Sequence, residues 1–375
     1  VSDIKSKYSE LRILHIAAQA SWRGGEQQVS YLIKQLDKYN CLQWVLCAEN
    51  SAVSTYCEAH GITSVTFKTH FLGFLKNPKN VKEICNRHAI DIIHVHDSKS
   101  HTLAFISALF GNGRPIIVNR RVDFPIQDNL FSRWKYNNKY IHKYICVSEK
   151  IKEILAKGVK DHSKLEVVHS GIDISRFANK KDKGILRREF KIRKKELIIG
   201  NIAALADHKD YFTFIDTAQI IKSKGISAKY LIVGDGLLRE EIVEYAASKD
   251  LKNDIIFAGF RNDIADVLPE FDIFLFTSKT EGLGTSLLDA MACHIAIVCT
   301  NAGGIPELIT HEENGLMSEV GDANALAHST IRLLNNNKLR DELVGKSGRK
   351  VLEFTTENTA DKVYKIYLNI SSSSV

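Results

Sequence analysis

Twice along this chain a series of short apolar runs, separated by amphipathic stretches, begins and runs its course. No other feature constrains the fold as strongly. In the first half, "RILHIA", "QWVLCA", "SVTF", "IDIIHVH", "PIIVN", "KYICVS" and "LEVVH" read as strands, with helical spacing in "EQQVSYLIKQLDKY", "NVKEICNRH" and "SHTLAFISALF" between them. Near residue 196 the series restarts with "ELIIGNIAAL", "AKYLIVGD", "DIIFAGF", "FDIFLFTS", "HIAIVCT" and "NGLMS". The intervening helices are "DYFTFIDTAQIIKSK", "LLREEIVEYAASKD", "DIADVLPE", "SLLDAMA", "IPELIT" and "ANALAHSTIRLLNN". Continuous apolar strands alternating with helices predict parallel sheets covered on both faces. Two such series predict an α/β protein of two doubly wound, Rossmann-like domains in tandem, and 375 residues suit two cores better than one. The repetition is one of architecture; no sequence repeat accompanies it.

Composition narrows the function classes. A hydrophobic share of 44% with 25% charged residues is that of a globular protein. No stretch reaches the roughly 18 uninterrupted apolar residues of a spanning helix. The opening "VSDIKSKYSELRILHIA" carries charges and no long apolar region, so it does not read as a secretory signal. The cysteines at 41, 47, 57, 85, 146, 293 and 299 are scattered and form no CxxC pair. The expectation is a reduced cytoplasmic setting, with neither a disulfide framework nor a zinc site. The net charge of +7 is uneven: residues 1–170 hold 24 Lys/Arg against 15 Asp/Glu, and the remainder 27 against 29. A basic first half suits an anionic membrane surface or an anionic acceptor, and equally a generally basic solvated surface. The ten Lys/Arg of residues 176–195 lack an aromatic stacking series and read as a solvated linker and helix face rather than a nucleic-acid site. The serine-rich "SSSSV" is the only low-complexity stretch.

The chemistry concentrates where strands hand over to helices. Open α/β sheets bind ligands at the carboxyl ends of their strands, and helix N-termini there offer unpaired N–H groups to anions. "TEGLGTSLLDAMA" (280–292) follows the strand-like "FDIFLFTS" and brings an acid, two glycines and two small hydroxyl residues to such a place. Glycine lets the backbone approach a ligand closely. The amides from Leu283 to Ser286, Gly284 among them, with the Thr285 and Ser286 hydroxyls, suit phosphate oxygens. Glu281, beside an anion site, suits hydrogen bonds from hydroxyls such as a sugar's. Asp289, eight residues on, suits a second set such as a ribose's. A capped helix with an incidental acid is the structural alternative. Gly24 and Gly25 in "ASWRGGEQQVSYLIKQL" form a second strand–glycine–helix junction, which a tight turn explains equally. Lys209 in "NIAALADHKDYF" is a compact cation near a helix start, suited to a diphosphate leaving group or simply to solvent. "YLIVGDGLLREEI" places a GxG, with Gly234, after a strand, but the third glycine of a dinucleotide fingerprint is missing and Arg239 stands near that point.

Together, "VGDGLLREEI", "IIFAGFRNDIADVLPEFDIFLFTSKTEGLGTSLLDAMA", "VCTNAGGIPELI" and "NGLM" closely resemble the second half of the retaining family-four (group 1) glycosyltransferases. "RGGEQQ" and "VVHSGIDISRF" resemble parts of their first half. The resemblance implies the GT-B fold, two facing Rossmann-like domains with an inter-domain cleft. It implies an acceptor-side domain at 1–170, rejoined by an amphipathic C-terminal helix at 356–375, and a nucleotide-sugar domain at 171–355. It implies that Glu281 holds donor-sugar hydroxyls and Asp289 the nucleotide ribose, and that Gly284, Thr285 and Ser286 cradle the diphosphate. Gly24 and Gly25 would close over the phosphates from the other domain, and Lys209 matches the lysine of the family's Arg/Lys pair. Gly234 and Arg261 would border the nucleotide. Glu307 reads as structural.

Three positions depart from the pattern. The arginine of the Arg/Lys pair falls at Ala204, with His208 as a partial substitute or a plain surface residue. The second acid is Asp rather than Glu. The histidine many members carry after the fifth strand is replaced by "IIVNRRVDFP", so Asp123, or His96 from "HVHDS", becomes the candidate for assisting acceptor deprotonation. The expected activity is metal-independent, retaining transfer of a sugar from a UDP-, GDP- or ADP-sugar to a glycan or lipid-linked glycan acceptor. No cofactor is obligatory, and the enzyme would be cytoplasmic or peripheral on the inner face of the membrane, in polysaccharide, lipopolysaccharide or glycolipid synthesis. "DNLFSRWKYNNKYIHKY", with Phe131, Trp134 and Tyr136, suits docking to that face or packing in the core. A phosphorylase or nucleotide-sugar epimerase of the same fold, and a non-catalytic nucleotide-sugar binder, are the competing readings. An NAD dehydrogenase is disfavoured by the incomplete fingerprint.

Overall fold

The computed structural model describes residues 10–68, 71–178 and 180–372. The charged first nine residues and the last three of the serine-rich terminus lie outside them. Two compact units emerge: one runs to Gly171 and resumes at Thr356, and the other is Ile172–Thr355.

In the first unit the strands are β1 (Leu11–Ala17), β2 (Cys41–Ala48), β3 (Ser64–Phe67), β4 (Ile92–Val95), β5 (Ile116–Arg120), β6 (Ile141–Cys146) and β7 (Leu165–Val167). They form one sheet in the order β3-β2-β1-β4-β5-β6-β7, with every pairing parallel. In the second unit, β8 (Leu197–Ile202), β9 (Ala228–Val233), β10 (Ile255–Gly259), β11 (Ile273–Phe276), β12 (Ala296–Thr300) and β13 (Leu316–Ser318) are ordered β10-β9-β8-β11-β12-β13. These pairings too are parallel. In each sheet the chain starts centrally, works outward to one edge, then crosses back and fills the other side. The order therefore reverses between β1 and β4, and again between β8 and β11. At such a switch point the two flanking loops diverge and leave a crevice above the carboxyl ends of the strands.

Parallel strands must be covered on both faces, and the residues comply. Ile13, Leu14 and Ile16 of β1 are fully buried, as are all four residues of β11. Asp97, Ser148 and Asp322 cap the helices they precede by accepting backbone N–H groups, which satisfies otherwise orphaned donors. All seven cysteines are free thiols.

The helix Thr356–Ser372 belongs to the first unit. Ala360, Val363, Tyr364 and Tyr367 pack with Leu11, Ile13, Ile92 and Ile117 against one face of the sheet. Polar contacts fix its register. Gln35 Nε2 donates to Thr356 Oγ1 at 2.9 Å, Thr359 Oγ1 donates to the His169 carbonyl at 2.9 Å, and the Tyr367 hydroxyl meets His94 Nδ1 at 2.6 Å.

Two expected helices shrink. "IPELIT" keeps only a 3₁₀ turn at Ile305–Glu307. The Asn314 side chain accepts from the Thr310 amide at 2.7 Å and donates to the Leu308 carbonyl at 2.9 Å, engaging groups a longer helix would use. "DIADVLPE" is helical over Ile264–Val267 and then tightens to a 3₁₀ turn at Leu268–Glu270, because Pro269 has no N–H with which to continue.

Removing the Tyr367 hydroxyl by Tyr367→Phe leaves a buried ring nitrogen unpaired. The expected loss of stability is about 1–2 kcal/mol, measured by urea denaturation.

Candidate functional site

Both loops at the second unit's switch point carry charge. After β8 the chain makes a 3₁₀ turn, Asp207–Lys209, and Asp210 then caps the helix Tyr211–Ser223 from a left-handed conformation at φ 48°. After β11 the Thr277 hydroxyl reaches back to the carbonyls of Asp210 at 3.0 Å and Lys209 at 3.2 Å. That hydroxyl locks the two loops together. Across the lock the Lys209 ammonium binds Glu281 Oε1, and the Ser278 hydroxyl donates to the same oxygen at 2.8 Å. The two side chains are only 16% and 9% exposed.

The Glu281 backbone is fixed as firmly. Its carbonyl accepts from the Gly304 amide at 3.0 Å. Gly303, at φ +56°, approaches so closely that a Cβ there would lie 2.0 Å from that oxygen. Gly284 follows in a left-handed conformation and opens the helix Thr285–Ala292. The first amides of this helix lack intrahelical acceptors. Asp289 lies about a turn along it and is half-buried. Burial pushes its carboxyl up to about 7, against the opposing pull of Arg176.

The structure thus joins Lys209 to Glu281 directly and places Gly284, Thr285, Ser286 and Asp289 on the helix that follows. Other candidates stand differently. Gly234 has φ +144°, and a Cβ there would meet the Ala203 carbonyl at 2.0 Å; one on Gly236 would meet that of Leu205 at 2.3 Å. Close approach of the loops after β8 and β9 is enough to require both glycines. The Arg261 guanidinium is held by Asp263 through two bonds of 2.8 Å and by Glu189 at 2.7 Å, which leaves mainly backbone there to border a base. Ala204 is exposed and supplies no cation.

Gly24 and Gly25 open the helix Gly24–Leu36 after β1, where the Arg23 amide donates to Glu26 Oε2 at 2.9 Å. A Cβ on Gly25 would have nothing within 4 Å, so packing among the described residues makes no demand for glycine there. His96, just after β4, is buried with its Nε2 3.0 Å from His15 Nδ1, and its Nδ1 has no partner among the described residues. Burial, reinforced by His94, His15 and Arg121, lowers its pKa well below the ordinary value. Among the described residues, His15, His94 and His96 also offer three ring nitrogens within 4.8 Å. The set contains no carboxylate, and the Arg121 charge that disfavours protonated His94 and His96 opposes a dication equally. Asp123 is half-exposed on the loop after β5.

Sequence reasoning assigned no part to Ser278, Thr277, Gly303 or Arg121. Arg121 is half-buried and donates to the His96 carbonyl at 3.2 Å. Its burial pulls its pKa down to about 10, while Glu26 and Asp97 oppose the shift. Ser278 and Thr277 end an apolar run, the one visible cue that small hydroxyls there face a polar site.

Comparison with known proteins gives this arrangement its class. The structure of Anabaena HepE in complex with UDP and glucose superposes with a TM-score of 0.83, at 20% identity over 96% of this chain and all of that one. A glycosyltransferase from Rickettsia africae superposes at 0.84, again with 20% identity, over 97% and 99%. The fold is the two-domain α/β GT-B fold. Residues 182–351 match the family described as "Glycosyl transferases group 1", and residues 22–176 match "Glycosyltransferase Family 4". The chain belongs to the group 1 glycosyltransferases. It is 22% identical, over 98% of its own length and 99% of the relative's, to an Escherichia coli UDP-Gal:alpha-D-GlcNAc-diphosphoundecaprenol alpha-1,3-galactosyltransferase. It is 28% identical, over 63% and 62%, to a Campylobacter jejuni N,N'-diacetylbacillosaminyl-diphospho-undecaprenol alpha-1,3-N-acetylgalactosaminyltransferase.

Because the raised Asp289 pKa leaves the folded state holding a proton that the unfolded chain has lost, this residue's contribution to stability falls as pH rises from about 4 to about 7. Asp289→Asn removes that loss. The variant should melt higher than the parent at pH 8, with the gap closing towards pH 4, as read by calorimetry across pH.

Proposed function

We propose that this glycosyltransferase moves a sugar from a nucleoside diphosphate donor to a hydroxyl of a lipid-linked or polysaccharide glycan, with retention of anomeric configuration and without an obligatory metal ion. The observation that carries this reading is the contact of Lys209 with Glu281 beside the helix opened by Gly284. One loop cluster thereby combines a cation, a sugar-suited carboxylate and free amides. The E. coli and C. jejuni relatives, whose acceptors are diphospho-undecaprenol glycans, support the acceptor class.

In this reading the diphosphate rests on the amides of Gly284, Thr285 and Ser286, with Lys209 neutralising the charge that grows as it departs. Glu281 accepts hydrogen bonds from donor-sugar hydroxyls, and Asp289 accepts from the ribose. The bond from the anomeric carbon to the β-phosphate oxygen breaks while the acceptor oxygen bonds to the same face of that carbon. The acceptor proton passes to the departing phosphate, with Asp123 or His96 as the protein group that assists. Gly24 and Gly25 belong to the phosphate side of the donor, and Gly234 and the Arg261 backbone to the nucleotide.

A thermal-shift screen with UDP-, GDP- and ADP-sugars should raise the melting temperature with one nucleotide, because a ligand bound only to the native state stabilises it. Transfer by Lys209→Ala should fall about 10²–10³-fold, and Glu281→Gln should also lose most activity. Wild-type rates in both variants would refute the assignment. Product analysis separates transfer from the alternatives: a free sugar phosphate would mean a phosphorylase, and an epimerised donor an epimerase.

Docking to an anionic membrane surface is part of the proposal. Among the described residues no helix is long and apolar enough to cross a membrane. The helix Leu130–Tyr136 nonetheless exposes Leu130 at 83%, Phe131 at 46% and Trp134 at 52%. Tyr136 is buried, stacks on Tyr144 and accepts from Arg120, so it belongs to the core. Apolar tips within a basic half suit insertion among anionic headgroups. Binding to phosphatidylglycerol vesicles should weaken as salt rises and drop in Leu130→Ser/Trp134→Ser. Salt-independent or absent binding removes this part.

A further inference from the structure

We propose that Ser278 is a positioning residue for donor-sugar recognition, acting through Glu281. This rests on the reading above that Glu281 accepts hydrogen bonds from sugar hydroxyls.

A carboxylate has two oxygens, each able to accept from two directions, and left to itself it rotates between equivalent settings. Here one oxygen is occupied. Oε1 takes the Lys209 ammonium and the Ser278 hydroxyl at 2.8 Å, whereas Oε2 receives no protein hydrogen bond among the described residues. The Ser278 hydroxyl has one proton to give, and it is given to Glu281. Ser278 is itself immobilised: it is fully buried, and its carbonyl accepts from the Thr300 hydroxyl at 2.6 Å, in a residue equally buried. The Glu281 carbonyl is pinned independently by Gly304, with Gly303 packed against it. The carboxylate plane is therefore fixed at both ends, and only Oε2 is presented.

When a diphosphate arrives, the Lys209 ammonium must serve phosphate oxygens as well as Oε1. A flexible lysine that swings towards the phosphates would release the carboxylate. The Ser278 hydroxyl, a short donor in the buried segment just after β11, keeps Oε1 in place while Lys209 redistributes. Ser278 thus uncouples the setting of the sugar-binding oxygen from the charge on the diphosphate. Its removal should affect the sugar and leave the diphosphate alone, a signature that general loosening of the site would not give.

The test is calorimetric binding with matched pairs: UDP-galactose against UDP, UDP-N-acetylgalactosamine against UDP, and GDP-mannose against GDP. The pair that wild type binds most tightly is carried forward. In Ser278→Ala, affinity for the nucleotide sugar should fall roughly tenfold, as expected for loss of a hydrogen bond to a charged group. Affinity for the diphosphate should stay within about twofold. Ser278→Thr, which keeps the hydroxyl, should recover sugar affinity relative to Ala. If Ser278→Ala does not fold, Ser278→Cys, a weak donor of similar size, carries the same expectation. Equal weakening of sugar and diphosphate would show a merely structural role and overturn the inference. An unchanged Ser278→Ala beside a weakened Glu281→Gln would overturn it while leaving the sugar-binding role of Glu281 intact. If Glu281→Gln binds every nucleotide sugar as wild type does, or wild type binds none of the pairs, the underlying reading fails and this inference with it.

Discussion

The second unit is arranged around an ion pair that would be a poor choice for stability alone. Lys209 and Glu281 are both mostly withdrawn from water, and desolvating two charges often costs as much as their attraction returns. The pair stands because its surroundings complete it. Ser278 supplies a further donor to the carboxylate, and Thr277 clamps the lysine's own loop. The order of the sheet brings β8 and β11 side by side, so residues 72 positions apart in sequence meet at one switch point. Neither loop could hold its charge there without the other.

Asp289 shows the same conflict in another form. It shares its helix with well-buried Leu287, Leu288 and Ala290, and these apolar neighbours stabilise the fold while raising the cost of its negative charge. The proposed ribose contact would draw on a carboxylate whose charge the fold disfavours. Arg121 is a similar case in the first unit: it is half-buried, flanked by acids and bound to the backbone of His96.

The architecture was legible because continuous apolar runs admit few interpretations. Strands such as "FDIFLFTS" and "KYICVS" fall where the pattern puts them. What the pattern could not give was competition for backbone groups. The shortened turn at Ile305–Glu307 depends on the Asn314 side chain, and nothing in "IPELIT" itself announces that partner. At the site, Glu281, Lys209 and the glycine-opened helix were readable as residue types suited to a task. The hydroxyls of Ser278 and Thr277 were not, because a serine or threonine ending an apolar run carries little information until its acceptor is known. Gly234 was readable as part of a GxG after a strand, but whether a ligand or a neighbouring loop required it could only be decided in three dimensions. For Tyr136 the sequence left membrane docking and core packing both open, and the ring is stacked inside on Tyr144.

The helix Thr356–Ser372 covers a face of a sheet whose strands were all laid down before Gly171. On the ribosome, then, the first sheet emerges early but must wait for the whole of the second unit to be translated before its missing cover arrives. Ile13, Ile92 and Ile117 face that vacancy throughout. Nascent chains stalled before residue 356 would be natural clients for holding chaperones.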